Sequence, residues 1–202
     1  MKRTIVALSV AYAVLVLSPA AAEDAAPLQS PAALFPSSVG IFGSTMVGGG
    51  LSYQLWKGSF GIALTLGGSI SPANSAIGPI TAGAGAASTD FYAWSYNAEL
   101  DLAYKLFSST FAKWLAGDLF AYTMIAHRGS VAAVYVPDPA VPAGGTGTYE
   151  AGAYTTVYSL GLGIGYEITL FRHFSIPLQF GYAAEWPVQL AFDLSGGLRY
   201  RF

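Results

Sequence analysis

Hydrophobic and polar residues alternate along most of this chain with a period of two. The clearest run places Tyr92, Trp94, Tyr96, Ala98, Leu100, Leu102, Tyr104 and Leu106 on one side. Asn97, Glu99, Asp101 and Lys105 fall on the other. Alternate side chains of an extended strand point to opposite faces, so this run predicts a strand with one apolar and one polar face. Eight such segments are legible. The first, Val39 to Val47, aligns Val39, Ile41, Thr45 and Val47, and Gly48-Gly49-Gly50 reads as the turn after it. The second runs to Trp56, with Leu51, Tyr53 and Leu55 opposite Ser52 and Gln54. Lys57-Gly58 then reads as a two-residue hairpin, because Gly accepts the positive φ such turns require. That centre would set Leu55 beside Phe60 and Tyr53 beside Ile62. The third segment alternates Phe60, Ile62, Leu64 and Leu66 with Gly61, Ala63 and Thr65.

Ser71 to Ser88, rich in Gly, Ala, Ser and Pro, reads as a long loop before the fourth segment. Ser108-Ser109 reads as the next turn, and the fifth strand is expected over Phe111 to Ala126. If Asp118 faces inward, so do Phe120, Tyr122 and Met124, and a turn centred on Ser108-Ser109 would set Glu99 directly against Asp118. Arg128 to Ala153, with Pro137, Pro139 and Pro142, reads as a second long loop. The sixth strand presents Tyr158, Leu160, Leu162, Ile164, Tyr166 and Ile168 against Gly161, Gly163, Gly165 and Glu167. Arg172-His173 turns into a seventh strand with Ile176, Leu178, Phe180 and Tyr182 on one face. Pro187 precedes the eighth, Val188 to Phe202.

The apolar face is too complete for a sheet packed on one side only. The chain is 53% hydrophobic and 10% charged, against the quarter of charged residues usual in soluble domains. Yet beyond the first 22 residues no apolar run approaches the ~18 residues of a spanning helix. Backbone groups in lipid must pair internally, and alternating strands do that only as a closed barrel. The expectation is therefore an all-β fold, an eight-stranded antiparallel transmembrane β-barrel over residues 39–202. Short turns after the second, fourth and sixth strands, with longer loops between, put both termini on the short-turn side.

The ends of the chain add an address. Lys2 and Arg3 precede the apolar stretch Thr4 to Leu17, then Pro19 and the small residues Ala20, Ala21 and Ala22. This layout predicts a secretory signal peptide over residues 1–22, with Ala20 and Ala22 at the cleavage site. Residues 23–38, carrying Pro27, Pro31 and Pro36, read as a periplasmic tail. At the other end, Ser195, Gly197, Tyr200 and Phe202 resemble the C-terminal assembly signal of bacterial outer-membrane β-barrels. Together with the leader and the eight segments, they make the chain resemble the small outer-membrane barrel proteins of the OmpA-barrel, OmpX and OmpW type. That resemblance implies a place in the bacterial outer membrane, with loops extracellular and both termini periplasmic. It also implies partners in outer-membrane lipid and the barrel assembly machinery, and a structural or surface-interaction role.

Candidate chemistry is sparse. Glu99, Asp101, Asp118, Glu167, Asp193, Arg199 and Arg201 fall on the inward face and are expected to form a lumenal charge network, since buried charges need partners. Lys57, Lys105, Lys113, Arg172, Arg199 and Arg201 map to the turn end, and only Arg128 maps to the loop end beside Asp90, Asp138, Glu150 and Glu185. An eight-stranded interior is just wide enough for side chains to fill, although Gly161, Gly163 and Gly165 could leave a narrow path. No catalytic residue, cofactor site or metal site is assigned, and no basic patch suits nucleic acid. A lipid-modifying enzyme would have to use His127, with Ser130 three residues on, because His173 falls in a turn at the other end. The expected role is thus surface contact through loops 71–88 and 128–153 with host or cell-surface ligands. A narrow channel or transporter for small solutes is the alternative.

Overall fold

The computed structural model describes residues 34–72, 92–137, 147–186 and 189–202. The proposed leader and its cleavage site, the tail up to residue 33 and the centres of both long loops lie outside the described residues. Eight strands follow in chain order: β1 (Ser37–Ser44), β2 (Gly48–Lys57), β3 (Phe60–Pro72), β4 (Tyr92–Ala112), β5 (Leu115–Pro137), β6 (Gly147–Leu170), β7 (Phe174–Trp186) and β8 (Gln189–Arg201). Each pairs antiparallel with the next, and β1 closes the ring against β8 from Ser38↔Arg201 to Ser44↔Ser195. Closure leaves no open sheet edge. The ends of β1 and β8 meet at the turn end of the barrel, beside the β2–β3, β4–β5 and β6–β7 turns.

The period-two faces fall as the alternation requires. Leu51, Tyr53, Leu64, Leu102, Ile125, Leu162, Tyr182 and Leu198 point outward and are exposed, whereas Ser52, Gln54, Thr65, Glu99, Asp101 and Gln179 are buried inside. Aromatic pairs gather near both ends of this apolar belt. Phe60 with Tyr104, Trp114 with Phe171 and Phe174 with Tyr200 lie toward the turn end, and Trp94, Tyr96 and Tyr154 toward the loop end.

Several boundaries differ from the sequence reading. The first turn is Thr45-Met46-Val47, and Gly48 to Gly50 begin β2. Val47 is buried in the core instead of lining the outer face. The second turn is Gly58-Ser59, with Lys57 opposite Phe60, so Leu55 faces Ile62 and Tyr53 faces Leu64. Gly58 takes φ 61°, the positive angle that the first central position of such a hairpin demands. The shift is two residues, so every side chain keeps its face.

Ser108-Ser109 is not a turn. β4 runs on to Ala112, with register shifts between Lys105 and Phe107 and again between Thr110 and Ala112. The first is a bulge that leaves Leu106 and Phe107 both exposed; one extra residue on one strand does this. Asp118 consequently lies opposite Ser108, Glu99 lies opposite Ala126, and the expected Glu99–Asp118 pair does not exist. Most of the second expected loop is also strand. β5 continues through Arg128 to Pro137 and β6 starts at Gly147, forming a tall hairpin.

The lumen is packed across its middle. Trp56, Phe120, Tyr122 and Met124 are almost wholly buried and form one cluster with Val47, Ala103, Ala126 and Ala183. The β6 glycines make this possible. A Cβ at Gly165 would sit 2.3 Å from the Phe120 ring, one at Gly161 2.9 Å from Met124, and one at Gly163 2.8 Å from Tyr122.

Candidate functional site

All seven inward charges named from the sequence are buried in the lumen, but they form separate groups. At the turn end Arg201, on β8, pairs with Glu167, on β6, at 2.7 Å, and neither side chain is accessible. The Arg201 guanidinium also donates to the Phe35 carbonyl, and His173 donates from Nδ1 to the carbonyl of Arg201. The Phe35 ring lies 4.4 Å from His173, so the segment before β1 covers this end of the lumen. Lys105 pairs with Asp118 at 3.2 Å while its ammonium stands 4.5 Å from the centre of the Trp56 ring. Lys105 was not among the expected network residues, although its place on the inward face of β4 was legible.

Arg199 donates to Ser52 Oγ at 2.9 Å and lies over the Phe42 ring. Glu167, Asp101 and Glu99 are within its electrostatic reach. Glu99 and Asp101, two residues apart on β4, bring their carboxyl groups within reach of each other, and Asp101 within reach of the Gln179 amide, but neither forms an ion pair among the described residues. Asp193 belongs to a different arrangement. Its Oδ1 accepts from Ser44 Oγ at 2.7 Å, Thr45 Oγ1 at 3.0 Å and the Met46 amide at 3.2 Å, and its Oδ2 accepts from Ser195 at 2.6 Å. It thereby ties the β1–β2 turn to the neighbouring strand β8. Sequence alternation could place Asp193 inward but could not show that a turn folds down onto it.

Above that turn the barrel opens into a vestibule at the loop end. Arg128, on β5, spans its floor by donating to the Met46 carbonyl and to Glu185, on β7, at 2.6 Å. The cavity holds about 510 Å³ and is lined by Val47, Ser69, Ser95, Asn97, Ser130 and Thr155 among others. A smaller recess of about 200 Å³ continues from it past Ser69, Ser95 and Ser130 to Ser71 and Trp94. Another concavity, about 860 Å³, lies on the outer wall between Ile41, Leu51, Leu66 and Leu198, floored by glycines including Gly43, Gly49, Gly68 and Gly196. It is continuous with the apolar belt and carries no polar side chain.

His127 and Ser130 are not brought together. Their places on β5 differ by three residues, which puts them on opposite faces of the strand. The His127 ring stacks on Tyr158 at 4.5 Å, and its nitrogens meet Tyr96 Oη at 3.2 Å and Thr156 Oγ1 at 2.6 Å. Ser130 instead meets Thr155 Oγ1 at 2.9 Å. Among the positions of the terminal pattern, Tyr200 and Phe202 are exposed and Ser195 is buried. A Cβ at Gly197 would lie 2.2 Å from the Ile41 carbonyl oxygen, so close strand approach accounts for that glycine locally.

No family model matches this chain, and no curated protein matches it. Among solved structures it is similar to the N-terminal β-barrel domain of OprF from Pseudomonas aeruginosa. That likeness has 12% identity over 82% of this chain and 96% of that one, with a TM-score of 0.44. It is similar also to Ail, the attachment invasion locus protein of Yersinia pestis, at 13% identity over 82% and 96% of the two chains, with a TM-score of 0.37. The eight-stranded closure rests on the strand pairing of this chain itself.

Proposed function

We propose that this chain is a bacterial outer-membrane β-barrel with a structural or surface-interaction role, not a conduit and not an enzyme. The observation that carries the reading is a belt of outward Leu, Ile, Phe and Tyr around a lumen blocked by Trp56, Phe120, Tyr122 and Met124. An apolar outer wall with a polar interior suits lipid outside and side-chain packing within. β7 spans 13 residues, which at strand rise and usual barrel tilt gives a height of about 33 Å, enough for the hydrocarbon band and its aromatic girdles. The tall β5–β6 hairpin and the vestibule then face the exterior, and both ends of the chain face the periplasm. Residues 71–88 and 128–153, the latter mostly the upper β5–β6 hairpin, supply the contact surface for host or cell-surface ligands.

The full chain reconstituted in planar bilayers should give no steady stepwise conductance. Open-channel steps would instead favour the solute-path reading. Orientation is tested separately. The chain has no Cys, so a membrane-impermeant maleimide on intact cells should label Glu150→Cys and spare Lys113→Cys. The reverse labelling would invert the barrel.

A further inference from the structure

We propose that two neighbouring turns at the turn end, β4–β5 and β6–β7, form a seat for the headgroup phosphate of an anionic phospholipid. Lys113 lies in the first turn and Arg172 in the second, and both side chains are exposed. Neither takes part in the ion pairs of the described residues, which are Lys105–Asp118, Arg128–Glu185 and Arg201–Glu167. The turns are fastened together. Phe171 donates its amide to the Trp114 carbonyl at 2.8 Å, and the two rings stack 6.1 Å apart at 28°. Trp114 and Phe171 nonetheless stay 52% and 66% exposed. The result is a ledge of two aromatic rings, each with a cation next to it in sequence.

The backbone at this ledge is unusual for the side chains it carries. A tight hairpin of this hand takes positive φ at both central residues, where Asn and Gly are at home. Here Phe171 and Arg172 hold φ 51° and 68°, the only positive values outside glycine among the described residues. Strain of this kind persists where the surroundings impose it, and it clusters at ligand contacts. Trp114 imposes it here, and it delivers a ring to the ledge and a guanidinium to the tip. No acidic side chain of the described residues competes for the two cations. Asp118 and Glu167, on the adjoining strands, are buried and paired with Lys105 and Arg201. The terminal carboxylate of Phe202 lies at this end as well and joins none of the ion pairs. Glu23 and Asp24 lie outside the described residues. An ammonium beside a guanidinium suits the oxygens of one phosphate. The ledge selects its source. Phe111 and Tyr166 close over Gly117 on the adjoining wall, so the rings run on into the apolar belt. Such rings sit at headgroup level, which makes the phosphate that of a lipid whose chains lie along the wall.

The proposal rests on the lipid-facing reading of that belt, and its test separates the two. The full chain is folded in phosphocholine-detergent micelles, where heat-modifiable gel mobility reports the barrel. Short-chain phosphatidylglycerol and phosphatidylcholine are then titrated and followed by amide and indole NMR shifts. Phosphatidylglycerol should give saturable shifts at Lys113, Trp114, Phe171 and Arg172, and phosphatidylcholine none. A cation beside an anionic headgroup is worth about fivefold in affinity, so Lys113→Gln and Arg172→Asn should each weaken binding by that factor. Asn tolerates positive φ, so Arg172→Asn should unfold no more readily than the parent while it loses lipid. Lys57→Gln removes the same charge from the β2–β3 turn, outside the ledge, and should leave affinity unchanged. Equal response to the two lipids, or the same loss in Lys57→Gln as in Lys113→Gln, would overturn the proposal. Displacement of the lipid by inorganic phosphate would overturn it too, because the site would then take a free anion. A chain that never gains heat-modifiable mobility would sink the barrel reading and this proposal with it.

Discussion

At the scale of single residues, the lumen separates charges that are matched from charges that are not. Arg201 and Glu167 satisfy one another out of reach of solvent. Removing one partner strands the other, so Arg201→Met should cost about 3–5 kcal/mol. Glu99 is equally inaccessible but forms no ion pair among the described residues and sits beside Asp101. Glu99→Gln should therefore leave stability unchanged or raise it, because a neutral amide is cheaper to bury than an unpaired carboxylate. Urea unfolding in lipid vesicles, read by tryptophan fluorescence, distinguishes the two. A large loss in Glu99→Gln would show that its charge has a partner. The β6 glycines make a second residue-scale case. Gly165→Ala drives a methyl into the Phe120 ring and should cost about 1–3 kcal/mol by overpacking. Adding Phe120→Leu should restore part of that loss, a coupling that a double-mutant cycle measures. Additive effects would mean that ring is not the obstacle.

Among elements, alternation carried most of the information. A period of two assigns each side chain to a face whatever the turn does, which is why the inward set from Ser52 to Arg201 is legible in the sequence. Turns were less so. The β2–β3 register was two residues out, because Gly58 can occupy either central position of a hairpin until neighbouring strands choose. Ser108-Ser109 carried no positive-φ signal; β4 runs on to a turn at Lys113-Trp114, which puts Ala126 instead of Asp118 opposite Glu99, and the bulge at Leu106–Phe107, invisible to a periodicity count, shifts the register by one residue more. The vestibule was illegible for a related reason. It exists because Thr45-Met46-Val47 folds into the barrel, and the residues holding it there are about 148 positions away in sequence. That tie predicts a local effect. Asp193→Ala should speed amide exchange at Met46, whose N–H loses its carboxylate acceptor, while the β6–β7 ladder stays protected. Uniform deprotection of every strand would make Asp193 a global support instead of a turn anchor.

For the whole molecule, the strands are of unequal height, and that asymmetry decides where water begins. β7 has 13 residues and β6 has 24, so at common tilt the β5–β6 hairpin rises to about 60 Å where β7 reaches about 33 Å. A hydrocarbon core of ~30 Å cannot enclose both. The exposed side chains Leu162 and Val134 then differ in surroundings although both are apolar and outward-accessible, at 69% and 48%. Leu162 sits between the aromatic clusters, opposite Thr123 and Tyr182. Val134 sits near the tip, opposite Glu150. Arginine near the bilayer midplane of a barrel costs about 2–4 kcal/mol and little near its edge. Leu162→Arg should therefore lose that much in vesicles, and Val134→Arg close to none. The lumen offers no neutral control at the same depth, since Gly163 faces the Phe180 carbonyl oxygen 2.3 Å from its would-be Cβ. Thinner-acyl vesicles supply one instead. There the penalty at Leu162 should shrink while Val134 stays insensitive. Equal penalties at the two sites, unchanged by bilayer thickness, would mean the outward apolar face meets protein and not lipid.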